Sequence, residues 1–253
     1  MLTANSHTLG AATEQAPAAY EPSLAKRIAY SDIVCSVTVV RTKETRKTQV
    51  IAGAERDEFI AEAEVHRVFK GTIDSPIVRF RYFRLRRSNG DYFGPPTAFF
   101  ETGSTYIAFL KDDEKHLEVA VPVFQMEIRT ARLEPGALKS TSQSSAAIAE
   151  ELFYSVRAEP KTIGRMATHY FSWAEEMVGK DAVLVVESFL SSDDELVRYQ
   201  AAWWLSFRRV SDSVTTVLVK TRNDPSIEEW ARSGAEQRLK DMREGLWLPP
   251  DSR

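Results

Sequence analysis

Three acid–base side chains, Glu62, Glu64 and His66, stand two residues apart in the run FIAEAEVHRVF over 59–69. On an extended strand that spacing puts all three on one face, from which oxygen and nitrogen ligands could converge on a metal ion. A second set lies just downstream, where Arg79, Arg81, Arg84, Arg86 and Arg87 interleave with Phe80, Tyr82 and Phe83. Guanidinium groups beside aromatic rings are the chemistry of a single-stranded nucleic-acid groove. Such a groove needs rings and guanidiniums on the same exposed face, and the alternation puts most rings opposite. A plainer reading joins the two sets as an antiparallel pair, with Glu62 and Glu64 on the face of Arg79 and Arg81. A turn centred near Thr72–Ile73 sets Glu64 opposite Arg81 and His66 close to Arg79. Opposite charges facing across strands contribute about 0.2–1 kcal/mol a pair, so a solvated ladder is expected and a metal is not.

The third candidate is apolar. Over 194–209, Val197, Ala201, Trp204 and Leu205 form one helical stripe, while Tyr199, Trp203 and Phe207, with Leu196, form another. Two stripes mean cover on both sides. The second stripe is therefore either packed internally or, as hot-spot chemistry, a partner surface. The candidate partner-binding residues are thus Tyr199, Trp203, Phe207, Arg79, Arg81, Arg84 and Arg86. Cys35, the sole cysteine, alternates with Ile33 and Val37 and reads as a small buried hydrophobe. His7, His116 and His169 stand apart from any Ser, Cys or Asp motif. The sequence holds no GxSxG, HExxH, GxGxxG, P-loop or CxxC. No catalytic residue, metal or cofactor is expected, and the chain is not read as an enzyme.

The elements that must carry these side chains fall into two halves. At 253 residues two domains are the better expectation, and 43% hydrophobic against 27% charged content suits a buried core. A net charge of −3 gives no global case for nucleic acid or an anionic membrane. One cysteine allows no internal disulfide. No run approaches the roughly 20 apolar residues of a membrane span. Residues 1–22 read as a disordered arm without the pattern of an intact signal peptide. A leader trimmed before Met1 would make the protein extracytoplasmic; otherwise it is cytoplasmic.

Pro22-Ser23 opens a short helix over 24–30, after which the period becomes two. Strands are expected from Ile33, over 59–69, over 77–87 and in GSTYIAFL, with one or two more in HLEVAVPVFQMEI. Residues 41–57 read as a polar loop with a frayed strand. The apolar phase slips at Tyr82-Phe83, which a β-bulge would absorb while bending the strand. Five or six curved antiparallel strands with a bulge imply a closed or nearly closed barrel over 23–132. Residues 133–146, rich in Ser, Gly and Pro, form a linker, and 147–248 a helical domain. Its stripes are Ile148, Leu152 and Val156, then Ile163, Met166, Ala167, Tyr170, Ala174 and Met177. Helices near 181–191, 194–209, 212–222 and 225–243 follow. Asp194-Glu195-Leu196-Val197 echoes Asp224-Pro225-Ser226-Ile227 at an offset of 30, with Ala201 matching Ala231, so Asp224 is expected to cap the last helix and Pro225 to begin it.

SDIVCSVTVV, AEVHRVFKG and GSTYIAFL together resemble the tissue-inhibitor-of-metalloproteinases and netrin-module group over about 24–130. The resemblance implies an oligosaccharide/oligonucleotide-binding (OB)-type barrel. The DxxV…A…L pattern resembles HEAT-like helical repeats over about 180–243. In the inhibitors a cysteine at the mature N-terminus chelates the target's zinc. Here the chain begins Met1-Leu2-Thr3 and Cys35 lies mid-strand, so the fold carries over and that residue does not. The expected protein is an OB-like antiparallel β-barrel followed by a HEAT-like α-helical domain. Its expected role is that of a non-catalytic protein-binding or scaffold protein. The alternatives are an inhibitor or regulator of a hydrolase acting through barrel loops, and an OB-type single-stranded nucleic-acid binder.

Overall fold

The computed structural model describes residues 23–51, 54–85, 100–112, 117–119, 128–129 and 144–246. The arm over 1–22, Arg86 and Arg87, and residues 133–143 of the expected linker lie outside them. The first described element is helix α1, Leu24–Tyr30, whose N-cap Ser23 accepts a hydrogen bond from the Lys26 amide. Lys70 reaches its other end and donates to the carbonyls of Ile28, Ala29 and Ser31. A single ammonium thus satisfies carbonyls that the helix leaves free, where the negative end of its dipole lies.

Six strands follow: β1 Ile33–Ile51, β2 Ala54–Lys70, β3 Ile77–Leu85, β4 Thr105–Asp112, β5 Leu117–Val119 and β6 Ile128–Arg129. Their order is β1-β2-β3-β5-β4, and β4 returns to β1, so five strands close a barrel while β6 also pairs with β4. One seam departs from the antiparallel expectation: β3 and β5 run parallel, through Phe80 opposite Leu117 and Arg81 opposite Glu118. The expected polar loop over 41–57 is largely strand. β1 and β2 continue as one long hairpin, paired as far as Ile51 with Ala54.

The bend also lies elsewhere than expected. β2 and β3 pair without interruption from Arg56–Leu85 to Glu64–Ile77, so no bulge sits at Tyr82-Phe83. The phase slip there reflects burial on both faces, since Tyr82 and Phe83 are both buried. The β1–β2 pairing carries the irregularities instead: β2 has the extra residue at Val34/Cys35 and Ser36/Val37, and β1 at Val39/Arg41 and Glu44/Thr48. The last includes Arg46 in the left-handed region, at φ 62°. Extra residues on one strand bend it and raise its twist, which is what closing a small barrel requires.

Gly71 makes the turn out of β2 feasible. It has φ 81°, and a Cβ there would meet the Asp32 carbonyl oxygen at 2.6 Å. Alternation then sorts the side chains. Cys35, Val37, Ala61, Phe80, Tyr106 and Leu110 are among those filling the barrel. Phe100 plugs it, with ring centroids 5.1 Å from each of Phe80, Tyr82 and Tyr106 in edge-on geometry.

The helical region comprises α2 Ser144–Ala158, α3 Pro160–Ile163, α4 Ala167–Val178, α5 Asp181–Glu187, α6 Glu195–Ser206, α7 Asp212–Asn223 and α8 Glu229–Arg243. Residues 144–146, expected in the linker, are the first turn of α2. Asp194 caps α6 through the Val197 amide. Its echo Asp224 does not cap α8. The Asp224 carboxylate is engaged by the amide and hydroxyl of Ser226, the chain turns over 225–227, and α8 starts four residues later than the offset of 30 predicts. A side chain bonded two residues ahead makes a turn in place of a cap.

The two halves share a core. Val34, Phe69, Ile107, Phe109 and Ile128, on the outer side of the barrel, pack in one apolar cluster with Ile148, Leu152 and Phe171 of the helices. The β1–β4 wall is therefore covered.

Candidate functional site

The wall across β1, β2 and β3 faces the other way, and its outward side chains form a grid fixed by register. Lys43, Ile60 and Arg81 share a row; Arg41, Glu62 and Arg79 share the next; Thr38, Glu64 and Ile77 the third. The ladder between acidic and basic strands is present, with Glu62 and Glu64 on the face of Arg79 and Arg81. Its register differs from the expected one: Glu62, not Glu64, meets an arginine, and Arg81 stands opposite Ile60. The β2–β3 register is centred lower than Thr72–Ile73, because β3 pairs only from Ile77 opposite Glu64 while β2 runs on to Lys70 against β1.

Arg41 Nη2 and Arg79 Nε both donate to one oxygen of Glu62, at 2.9 and 2.7 Å. Those bonds hold the Glu62 carboxyl below its ordinary range. Both guanidiniums remain about two-thirds exposed, and one carboxylate neutralises only one of them. Around them three aliphatic side chains are more than a third exposed: Val40, the extra residue of the Val39/Arg41 bulge, with Ile60 and Ile77. Two hollows flank this wall, of about 420 and 330 Å³, and Arg79 and Leu117 line both.

The other arginines are tied down. Arg81 pairs with Glu118 at 3.1 Å and lies 3.9 Å from the buried Glu58. Arg84 lies over the Phe59 ring at 4.4 Å and donates to the Tyr82 hydroxyl. Phe80 and Tyr82 point into the barrel, so those rings do not share the exposed face of Arg79. Arg86 is outside the described residues.

His66 departs from a solvated ladder. It is buried, and its Nε2 lies 2.7 Å from Thr38 Oγ1, which itself lies 2.7 Å from Thr105 Oγ1. Burial lowers its proton affinity, with the Glu64 carboxylate opposing. Among the described residues, no group of three His, Cys, Asp or Glu side chains is placed to hold a metal ion. Cys35 is fully buried, and burial pushes its thiol up to about 12, away from nucleophilic use.

The aromatic stripe of α6 faces α8. Tyr199 is buried, and Trp203 and Phe207 are half-buried. Tyr199 meets Trp230 edge-on at 5.6 Å, Trp203 meets Phe207 edge-on at 5.5 Å, and Arg238 covers Phe207 at 3.9 Å while donating to the Ser206 carbonyl. A further trough runs beside α7, in two hollows of about 500 and 690 Å³ that share Leu190, Val217 and Lys220.

Arg41, Val40 and Ile77 are absent from the sequence-derived candidates. Reading 41–57 as loop hid Arg41, although the alternation of Arg41 and Lys43 with Thr42 was a strand signal. No family model matches the chain, and no curated protein is detectably similar to it. No helix among the described residues is long and apolar enough to cross a membrane.

Proposed function

We propose that the chain is a non-catalytic protein-binding scaffold whose binding surface is the open β1–β2–β3 wall of the barrel. One observation carries this. Exposed aliphatic groups surround two guanidiniums that share a single carboxylate, on a body whose opposite wall is already packed against helices. Arginine with apolar neighbours is the composition of interface centres. A wall that served solubility alone would need no exposed Val40, Ile60 and Ile77 among its charges. Protein is favoured over nucleic acid because the rings Phe80 and Tyr82 are turned into the barrel, leaving no stacking platform beside Arg79. Regulation of a hydrolase through barrel loops has no described residue to carry it.

The test is capture of partners on the immobilised full chain, with quantitative mass spectrometry. Ile77→Asp and Ile60→Asp should each abolish capture of the same protein without lowering the melting temperature. Leu184→Asp, on an exposed position of α5, should leave capture intact. A partner retained by both wall variants and lost with Leu184→Asp would move the surface to the helices and overturn the proposal.

A further inference from the structure

Given that the open wall is the binding surface, we infer that its ligand is an extended protein segment alternating carboxylates with aliphatic side chains. The free donors of the wall carry this: of its two outward carboxylates, Glu62 is shared by two arginines, and Glu64, exposed in the next row, bonds neither. Arg41 and Arg79 both use the same oxygen of Glu62, so the Arg41 Nε and Nη1 and both Arg79 Nη atoms retain free donors directed to solvent. Lys43, one row along, is exposed and has no carboxylate partner. Guanidinium donors of this kind take a carboxylate in a fork geometry that water does not reproduce. Ile60 lies between Lys43 and Arg81 in one row, Ile77 beside Glu64 in the row next to Arg79, and Val40 at the bulge, each able to lose apolar surface under a partner's aliphatic group. Side chains on one face of an extended segment repeat at about 6.6–7 Å. The wall offers a cation and an aliphatic group in neighbouring rows of the same sheet, so an alternating acidic–aliphatic segment meets both.

A second copy of the chain does not suit the surface. Wall against wall would offer each copy's Arg41, Arg79 and Lys43 only Glu62, already engaged by two arginines, and Glu64. A polyanion without aliphatic groups would satisfy the guanidiniums and leave the isoleucines wet.

Glu62 makes the inference testable with opposite signs. Its carboxylate competes with the ligand's for the two arginines, so removing its charge should tighten binding, whereas removing the arginines should weaken it. The probe is a fluorescein-labelled 14-residue peptide alternating Glu with Leu or Val, titrated with the full chain by fluorescence anisotropy. The controls are the Lys-for-Glu peptide, an all-Glu peptide and a 14-nucleotide oligo(dT). Arg41→Gln/Arg79→Gln and Ile60→Ser/Ile77→Ser should each weaken binding about tenfold or more, and Glu62→Gln should strengthen it about threefold. Salt should weaken binding, as for partly exposed ion pairs. The three controls should bind at least about tenfold more weakly than the alternating peptide.

Equal binding of oligo(dT) or the all-Glu peptide overturns the inference in favour of a general anion surface. Weaker binding by Glu62→Gln overturns it too, because Glu62 would then be only a structural brace. If no peptide binds at about 1 mM while partner capture still depends on Ile77, the open wall stands as the binding surface and the acidic–aliphatic ligand falls.

Discussion

The ladder's charged residues divide into those the fold consumes and those it leaves available. Lys70 is bound to three carbonyls and Arg238 to a helix end, while Arg41 and Arg79 hold free donors. His66 belongs to the first group. Its burial favours the neutral ring, with the Glu64 carboxylate opposing, so its folded pKa lies below the ordinary 6.5. A basic group with a depressed folded pKa binds fewer protons in the native state than in the unfolded one. Stability is then full above about pH 6.5 and falls as the pH drops toward the folded pKa. Urea midpoints measured at pH 8, 6.5 and 5 should decline across that range. His66→Gln, which keeps a polar partner for Thr38 without titrating, should flatten the decline. The carboxylates Asp32, Glu62, Asp224 and Glu228, held low by their hydrogen bonds, act in the same direction but below about pH 4.5. An unchanged slope in the His66 variant between pH 6.5 and 5 would rule out His66 as its source.

Among the helices, the pair α6 and α8 approaches so closely that one position has no room for a methyl group. A Cβ on Gly234 would stand 2.2 Å from the Tyr199 hydroxyl oxygen and 3.4 Å from the ring carbon bearing it. Tyr199 is buried between Trp203 and Trp230, so it has little space to retreat. Gly234→Ala gains helix propensity of about 1 kcal/mol, yet overpacking of about 1–3 kcal/mol should win and lower stability. Adding Tyr199→Phe removes the clashing atom and should restore most of the loss; a double mutant no better than the single would show that the clash lies elsewhere. Trp203→Ala should cost about 3 kcal/mol, near the low end for a buried tryptophan because its ring is only half-covered. The apolar stripe was legible because helical periodicity names the residues on a face. Which neighbour covers that face was not, because nothing local to 199–207 points to Gly234. The barrel divides the same way. Alternation in FIAEAEVHRVF identified inside and outside from Phe59 to Val65 and failed at the buried His66, and a barrel followed from counting strands. Register depends on where a turn is centred, and residues 71–76 offer several centres, so Glu64 was set opposite Arg81 where the structure has Ile77, and Glu62 is the residue that meets Arg79. The long hairpin escaped notice because a strand that bulges twice between Val39 and Thr48 blurs its own period of two.

For the whole molecule the decisive feature is that one apolar cluster runs through both halves. β4 shows how: Tyr106, Ala108 and Leu110 fill the barrel, while Ile107 and Phe109 turn out into the helical core. A strand that is buried on both faces cannot belong to one half alone. Removing the helices would expose Val34, Phe69, Ile107 and Phe109 together, an apolar patch of the kind that drives aggregation. The two halves should therefore unfold as one cooperative unit, with coincident transitions by near-ultraviolet signal, which reports the tryptophans of the helices, and by tyrosine probes in the barrel. Phe109→Asp places an unpaired charge in that shared core and should cost several kcal/mol. The outward position Ile77→Asp, on the open wall, should change stability by about 0.5 kcal/mol or less. The contrast matters for function as well as for folding. Of the barrel's two outer faces, the one spent on the helices tolerates no charge, and the one that meets solvent does. If Phe109→Asp separates the transitions and leaves barrel stability intact, the halves are independent domains that merely touch. If it lowers both transitions together, the helices are the brace that keeps the open wall of the barrel in shape for its partner.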